Sequence, residues 1–212
     1  MRMVRRSNPS KNMQILMRAG SVVAALAAAA LLMAALGYNP FLVYYNMVAG
    51  SFGTAYRLQA TIHKVIPLLV LSLGIAVAFK MKFWNIGAEG QFIIGSIAAT
   101  AVGLYVKLPP VLLAPLTLLA AIAAAGGWAL LAGFLKVRFH ANEVITTLML
   151  NYIADYFLDF LVYGPMMDPA GQLPQSAMVP EGIQIKAIFS GLRVHYGLAI
   201  MVVVFILTVL LW

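Results

Sequence analysis

Apolar residues run along this chain in long continuous stretches, without the alternation of a half-buried strand or the narrow stripe of a surface helix. The stretches cover roughly residues 19–37, 65–79, 92–106, 108–135, 144–163 and 196–212. Residues 108–135 contain no ionisable side chain, and Pro115 within them permits a kink. About twenty apolar residues in helical form cross the roughly 30 Å hydrocarbon core of a bilayer. The pattern therefore predicts an all-α, polytopic helical membrane protein with about six spans. Continuous runs also disfavour a transmembrane β-barrel, whose strands alternate.

Two neighbouring runs, 65–79 and 92–106, are short for a span, each on the order of 23 Å as helix. Between them lies the polar, glycine-punctuated string Phe83-Trp84-Asn85-Ile86-Gly87-Ala88-Glu89-Gly90-Gln91. Interrupted hydrophobic segments are a device by which transporters bring polar groups and backbone dipoles to membrane depth. Asn85, Glu89 and Gln91 are accordingly candidates for the substrate route. Glu89 also suits the first turn of the next helix, where the helix dipole favours an acid. On that reading it anchors an inner gate.

Composition narrows the class. Of 212 residues, 63% are hydrophobic and 9% charged. Soluble domains carry about 25% charged residues, so an ordinary soluble fold is excluded. There is no cysteine, which removes disulfides and thiolate chemistry. His63, His140 and His195 are far apart in sequence and show no metal-binding spacing, so neither a metal nor a cofactor is expected.

The net charge of +8 has its own distribution. Arg2, Arg5, Arg6, Lys11 and Arg18 precede the first run, Lys80 and Lys82 follow the second, and Lys136 and Arg138 follow the fourth. An N-terminus in the cytoplasm puts these nine of the fourteen Lys and Arg on the inner side, as the positive-inside rule favours. Nucleic acid is not needed to explain the charge. The segments 38–64 and 164–194 then lie outside. The first has aromatics suited to short interfacial helices, and Asn39-Pro40 stops the helix before it. The second is broken by four prolines and four glycines and serves as a gate, a docking surface or a plain connection. The first run also fits a signal peptide, but its length and the spans after it favour an uncleaved span. Its alanines, like those of 108–135, suit close helix packing.

On the fifth run Glu143, Thr147, Asn151, Asp155 and Asp159 recur every fourth residue and form one slanted ridge. Acids facing lipid are costly, so the ridge faces protein or water. Asn142 before Glu143 resembles an N-cap with an acid in the first turn. Glu143, Thr147 and Asn151 are also candidates for the substrate route, of which Thr147 and Asn151, nearest the membrane middle, are the stronger for substrate contact, with Asp155 and Asp159 toward the outer end. No Walker-type loop, H-E-x-x-H pair or G-x-S-x-G elbow is present, and no catalytic residue is identified.

The 83–91 string resembles the F-N-I-G-A-E-G-Q motif of permease subunits of bacterial ABC importers for nucleosides and simple sugars, with Trp84 directly before Asn85. Asn142-Glu143-Val144-Ile145-Thr146-Thr147-Leu148-Met149-Leu150-Asn151-Tyr152 is similar to that family's N-E-V-I-x-T-x-M-L-N-Y motif. The wider group includes the branched-chain amino acid and ribose permeases. The resemblance implies a bacterial cytoplasmic membrane protein with three kinds of partner. These are a cytoplasmic ATP-binding subunit that hydrolyses ATP, a second permease subunit and an extracytoplasmic substrate-binding lipoprotein. Nucleosides are favoured over sugars through the N-E-V-I segment. Family members continue beyond a sixth span, so a truncated permease lacking its coupling segment is expected here. An ion-coupled secondary transporter using the acids of the ridge, and a non-transporting membrane scaffold, are the alternatives.

Overall fold

The computed structural model describes residues 10–188 and 194–211. Arg2, Arg5, Arg6, Arg193 and Trp212 lie outside the described residues. The described residues form helices α1 (Lys11–Ala35), α2 (Pro40–Phe52), α3 (Ala55–Lys80), α4 (Ala88–Tyr105), α5 (Pro110–Phe139), α6 (Glu143–Val162) and α7 (Gly197–Leu211). Each of the six apolar runs falls on one of these helices. Among the described residues, α1, α3, α5 and α6 are long and apolar enough to cross a membrane. The chain is thus an all-α membrane protein. Helices α4 and α7, of 18 and 15 residues, are shorter.

The chain divides into two compact units within α3, after Thr61. In the first, α1 ends in a Schellman turn. Gly37 sits at φ 83°, its N–H bonds to the Ala34 carbonyl, and that of Tyr38 bonds to Met33 at 2.9 Å. This left-handed position is the kind that glycine fills without steric cost. Asn39 then caps α2, its Oδ1 accepting from the N–H groups of Phe41 and Leu42, with Pro40 at the first helical position. The Tyr44 hydroxyl donates to the Leu26 carbonyl at 2.6 Å and ties α2 to α1. Among the described residues, none in the apolar window of α1 is buried.

Residues 38–64 are largely helical, as their aromatics suggest, but the second helix is not a separate short one and continues into the next apolar run. Beyond α2, the chain enters α3 ten residues before the apolar run begins. Thr54 is the reason. Its Oγ1 accepts from the Arg57 N–H at 3.2 Å, and its carbonyl accepts from Leu58. The cap starts a helix of 26 residues, about 39 Å long, so this segment is not too short to span. Arg57 and Thr61 donate back to the carbonyls of Ala49 and Ser51 and fasten the new helix to the end of α2.

The second unit is organised around α4, which packs most extensively on α5 and next on α6. Small residues make this possible. A Cβ at Gly95 would lie 3.2 Å from the Ala121 carbonyl oxygen and 3.3 Å from the Ala125 methyl, so two backbones meet with no side chain between them. In α5, by contrast, Gly126, Gly127 and Gly133 have open space at the same position.

The 164–194 segment is ordered wherever it is described. Met167 bridges to Ser176, Ala187 bridges to His195, and a 3-10 turn forms at Glu181–Ile183. The Ile183 and Val179 side chains press on Gly103, and the Tyr105 hydroxyl donates to the Pro165 carbonyl at 3.2 Å. The segment therefore closes over one end of α4.

Enlarging Gly95 to Leu should separate α4 from α5 and lower the thermal midpoint in detergent, at a cost of about 1–3 kcal/mol. Gly126→Ala should leave the midpoint unchanged or slightly raised. Circular dichroism melts of the two variants provide the check.

Candidate functional site

Helix α3 ends with a second Schellman turn, built without glycine. Lys82 takes the left-handed conformation at φ 57°, its N–H bonding to the Phe79 carbonyl and that of Phe83 to Ala78. A non-glycine residue there costs roughly 1–2 kcal/mol, so the turn relies on the contacts of residues 83–91 to hold it. Asn85 makes the next turn by accepting the Gly87 N–H on its own Oδ1 at 2.9 Å. The Gln91 amide reaches the same oxygen at 3.4 Å.

Helix α4 then begins at Ala88 with a cap residue, Gly87, that has no side chain to offer. Its free backbone groups are taken up by α6. The Asn151 Oδ1 accepts the Gly90 N–H at 2.9 Å, and its Nδ2 donates to the Ile86 carbonyl at 2.9 Å. One turn earlier on α6, the Thr147 Oγ1 accepts the Ile86 N–H at 3.2 Å and donates to its own helix at the Glu143 carbonyl, 2.7 Å away. Asn151 thus caps α4 from another helix. Thr147 and Asn151 are 1% and 7% exposed, so these bonds are shielded from competing water.

The two glycines of the string permit this approach. A Cβ on Gly90 would lie 2.8 Å from the Asn151 Oδ1 and 3.0 Å from its Cα. At Gly87 it would lie 3.0 Å from the Thr147 Cβ. The four-residue step from Thr147 to Asn151 matches the four-residue step from Ile86 to Gly90, so the two sequence motifs are the halves of one clamp.

A further tie closes the same end. The Lys136 Nζ, near the end of α5, lies 2.9 Å from the Glu143 Oε1 at the start of α6 and 4.9 Å from the centre of the Phe83 ring. Asn142 caps α6 by accepting from the N–H groups of Val144 and Ile145, as its position before Glu143 suggests. Between them His140 turns the chain at φ 53°.

Of the six candidate residues, Asn85, Gln91, Thr147, Asn151 and Glu143 therefore gather in one polar network. Glu89 stands apart. It is exposed in the first turn of α4 and makes no side-chain hydrogen bond or ion pair among the described residues. Asp155 is half-buried and Asp159 exposed farther along α6, outside the clamp. Lys136 is a member that sequence patterns do not reveal. Its partner lies seven residues away across a turn, and nothing in the intervening sequence marks the pair. Among the described residues no cluster of three or more His, Cys, Asp or Glu could hold a metal.

Residues 57–212 match the family described as the branched-chain amino acid transport system permease component. The chain belongs to this family. As a member it is a multi-pass protein of the cytoplasmic membrane. It is 33% identical to the guanosine ABC transporter permease protein NupP of Bacillus subtilis, over 91% of this chain and 55% of that protein. It is 36% identical to the glucose ABC transporter permease protein TsgB13 of Haloferax volcanii, over 74% of this chain and 41% of the relative. The nucleoside ABC transporter permease protein NupB of Lactococcus lactis is 30% identical over 73% of this chain and 43% of its own length. The permease chain thus spans about half the length of the curated relatives it matches. No solved structure matches it.

Asn151→Ala should strand the buried Gly90 N–H, at about 1–3 kcal/mol, and release the Ile86 carbonyl, which is partly exposed and loses less. Thr147→Val keeps the shape, loses the one interhelical bond from Ile86 along with the bond to its own helix at Glu143, and should cost less, on the order of the ~0.6 kcal/mol average of interhelical hydrogen bonds in membranes. Gly90→Val should be the most damaging, because the new side chain meets backbone. Thermal unfolding of the three permease variants should rank them Thr147→Val, Asn151→Ala, Gly90→Val in increasing loss.

Proposed function

We propose that this chain is part of the transmembrane permease of an ABC importer that moves nucleosides, or related simple sugars, into the cell. The observation that carries the proposal is the family match over residues 57–212, joined to relatives named for guanosine, nucleoside and glucose transport. The interlocking of the two motif strings supports it, since the residues that resemble the family are the ones that hold each other in place.

On this reading the end carrying Lys80, Lys82, Lys136 and Arg138 faces the cytoplasm, as the positive-inside rule favours. A cytoplasmic ATP-binding subunit hydrolyses ATP, and a second permease subunit completes the passage. A substrate-binding lipoprotein delivers cargo at the opposite face, where residues 164–188 close over the end of α4. Thr147 and Asn151 act in transport by fixing the inner wall as one rigid piece. Glu89, exposed at the cytoplasmic end of α4, is the candidate left free to meet cargo or a neighbouring subunit.

Membrane vesicles carrying the complete permease with its partner set should accumulate labelled guanosine only when ATP is supplied. Proton and sodium ionophores should leave the rate unchanged. Uptake that persists without ATP and collapses with either ion gradient would assign the chain to ion-coupled transport instead. Glu89→Gln should lower the rate several-fold while leaving the thermal midpoint within about 0.5 kcal/mol of the parent, as for an exposed substitution.

A further inference from the structure

A groove of about 720 Å³ lies between α3, α4 and α7, and its two kinds of lining residue are segregated along it. Along most of its length the walls are hydrocarbon, from Pro67, Leu68 and Leu71 of α3 to Phe92 of α4 and Ile200 of α7. At the other end stand Lys64, His63 and His195. The two imidazoles meet edge to face with ring centres 4.6 Å apart. His195 accepts the Gly197 N–H on Nδ1 at 3.0 Å, which leaves Nε2 as its N–H donor. Burial first, and the neighbouring His63 second, lower the pKa of His195 from its ordinary value, which favours the neutral form that this hydrogen bond uses. Lys64 supplies the fixed positive charge and makes no ion pair among the described residues.

We infer that this groove seats an acyl chain of an anionic phospholipid, with the lipid phosphate held at Lys64 beside the two imidazoles. The hydrocarbon walls argue against the proposed cargo as occupant. A nucleoside or sugar would leave several hydroxyl and N–H groups without partners, and burying each such group unpaired is costly. An acyl chain has no such groups. The position of the basic end also fits, since Lys64 directly precedes the apolar run 65–79 and its long side chain can extend toward the headgroups. Moving a chain from surrounding lipid into the groove gains little, because lipid tails are already in an apolar medium. Selectivity therefore falls on the headgroup. One basic side chain near an anionic surface is worth about a fivefold preference.

The test is native mass spectrometry of the chain released from nanodiscs of equimolar phosphatidylglycerol and phosphatidylcholine. The wild type should retain phosphatidylglycerol about fivefold over phosphatidylcholine. Lys64→Gln should abolish the preference, and Ile200→Trp, which fills the groove, should reduce retained lipid of both kinds. Lys107→Gln, which removes a basic residue outside the groove, should change neither. Equal retention by the wild type, a preference that survives Lys64→Gln, or unchanged retention in Ile200→Trp would each overturn the inference. Displacement of the lipid by guanosine or glucose would also overturn it, by giving the groove to cargo. The readout is bound lipid rather than uptake, so the result stands apart from the transport reading. Circular dichroism of both groove variants separates lost lipid from lost fold.

Discussion

A helix whose first turn is packed against another helix presents backbone N–H groups with no preceding turn to accept them, and no water reaches them in compensation. In this chain the start of α4 meets that constraint with a cap residue, Gly87, that has no side chain. The solution is Asn151, one primary amide that accepts from Gly90 and donates to Ile86. An amide suits the task because it carries a donor and an acceptor on one planar group. An acid could not donate in its charged form, and a hydroxyl could not span both atoms. Much else in the second unit depends on this contact. The glycines at 87 and 90, the burial of Thr147 and the four-residue spacing on α6 are all conditions for that amide to reach.

The helical runs were legible because lipid imposes a crude rule, continuous apolar character over enough residues, and each of the six runs is helical. Helix boundaries obey finer rules. Thr54 shows the difficulty. Its capping oxygen turns a polar, aromatic stretch into the first ten residues of α3, and a hydropathy reading cannot see a single hydroxyl. Asn142 was legible by contrast, because an acid and an apolar run come directly after it. Capping by a neighbour can be read from sequence, but capping across 61 residues, as from Asn151 to Gly90, cannot.

The polar ridge on α6 was legible in the sequence, but its role was not, for the same reason. Polar residues at membrane depth are costly, and a substrate passage is one way to offset the cost. A second way is to satisfy backbone that the membrane would otherwise leave bare. Sequence spacing alone does not separate these two uses. Thr147 and Asn151 serve the second, whereas Asp155 and Asp159, farther along the same helix, take no part in it. The Lys136–Glu143 pair adds a charge to the same joint. At side-chain exposures of 35% and 20% it is partly wetted, so its stabilisation is modest and its value lies in fixing the α5–α6 turn against Phe83.

The clamp also constrains how a permease of this kind could select its cargo. An amide with one donor and one lone pair already committed to backbone can recruit a ligand only through what remains, and at 7% exposure little of that is reachable. Breaking the clamp to free it would strand the buried Gly90 N–H, at about 1–3 kcal/mol, and release the partly exposed Ile86 carbonyl. That loss is comparable to the discrimination a polar contact could supply. If the chain transports as proposed above, recognition would be better placed on groups the fold has not already used, such as Glu89 at one end of α4 or Asp155 and Asp159 farther along α6. The residues that most resemble the family would then give the passage a fixed wall, and selection among nucleosides and sugars would rest with side chains free of that duty.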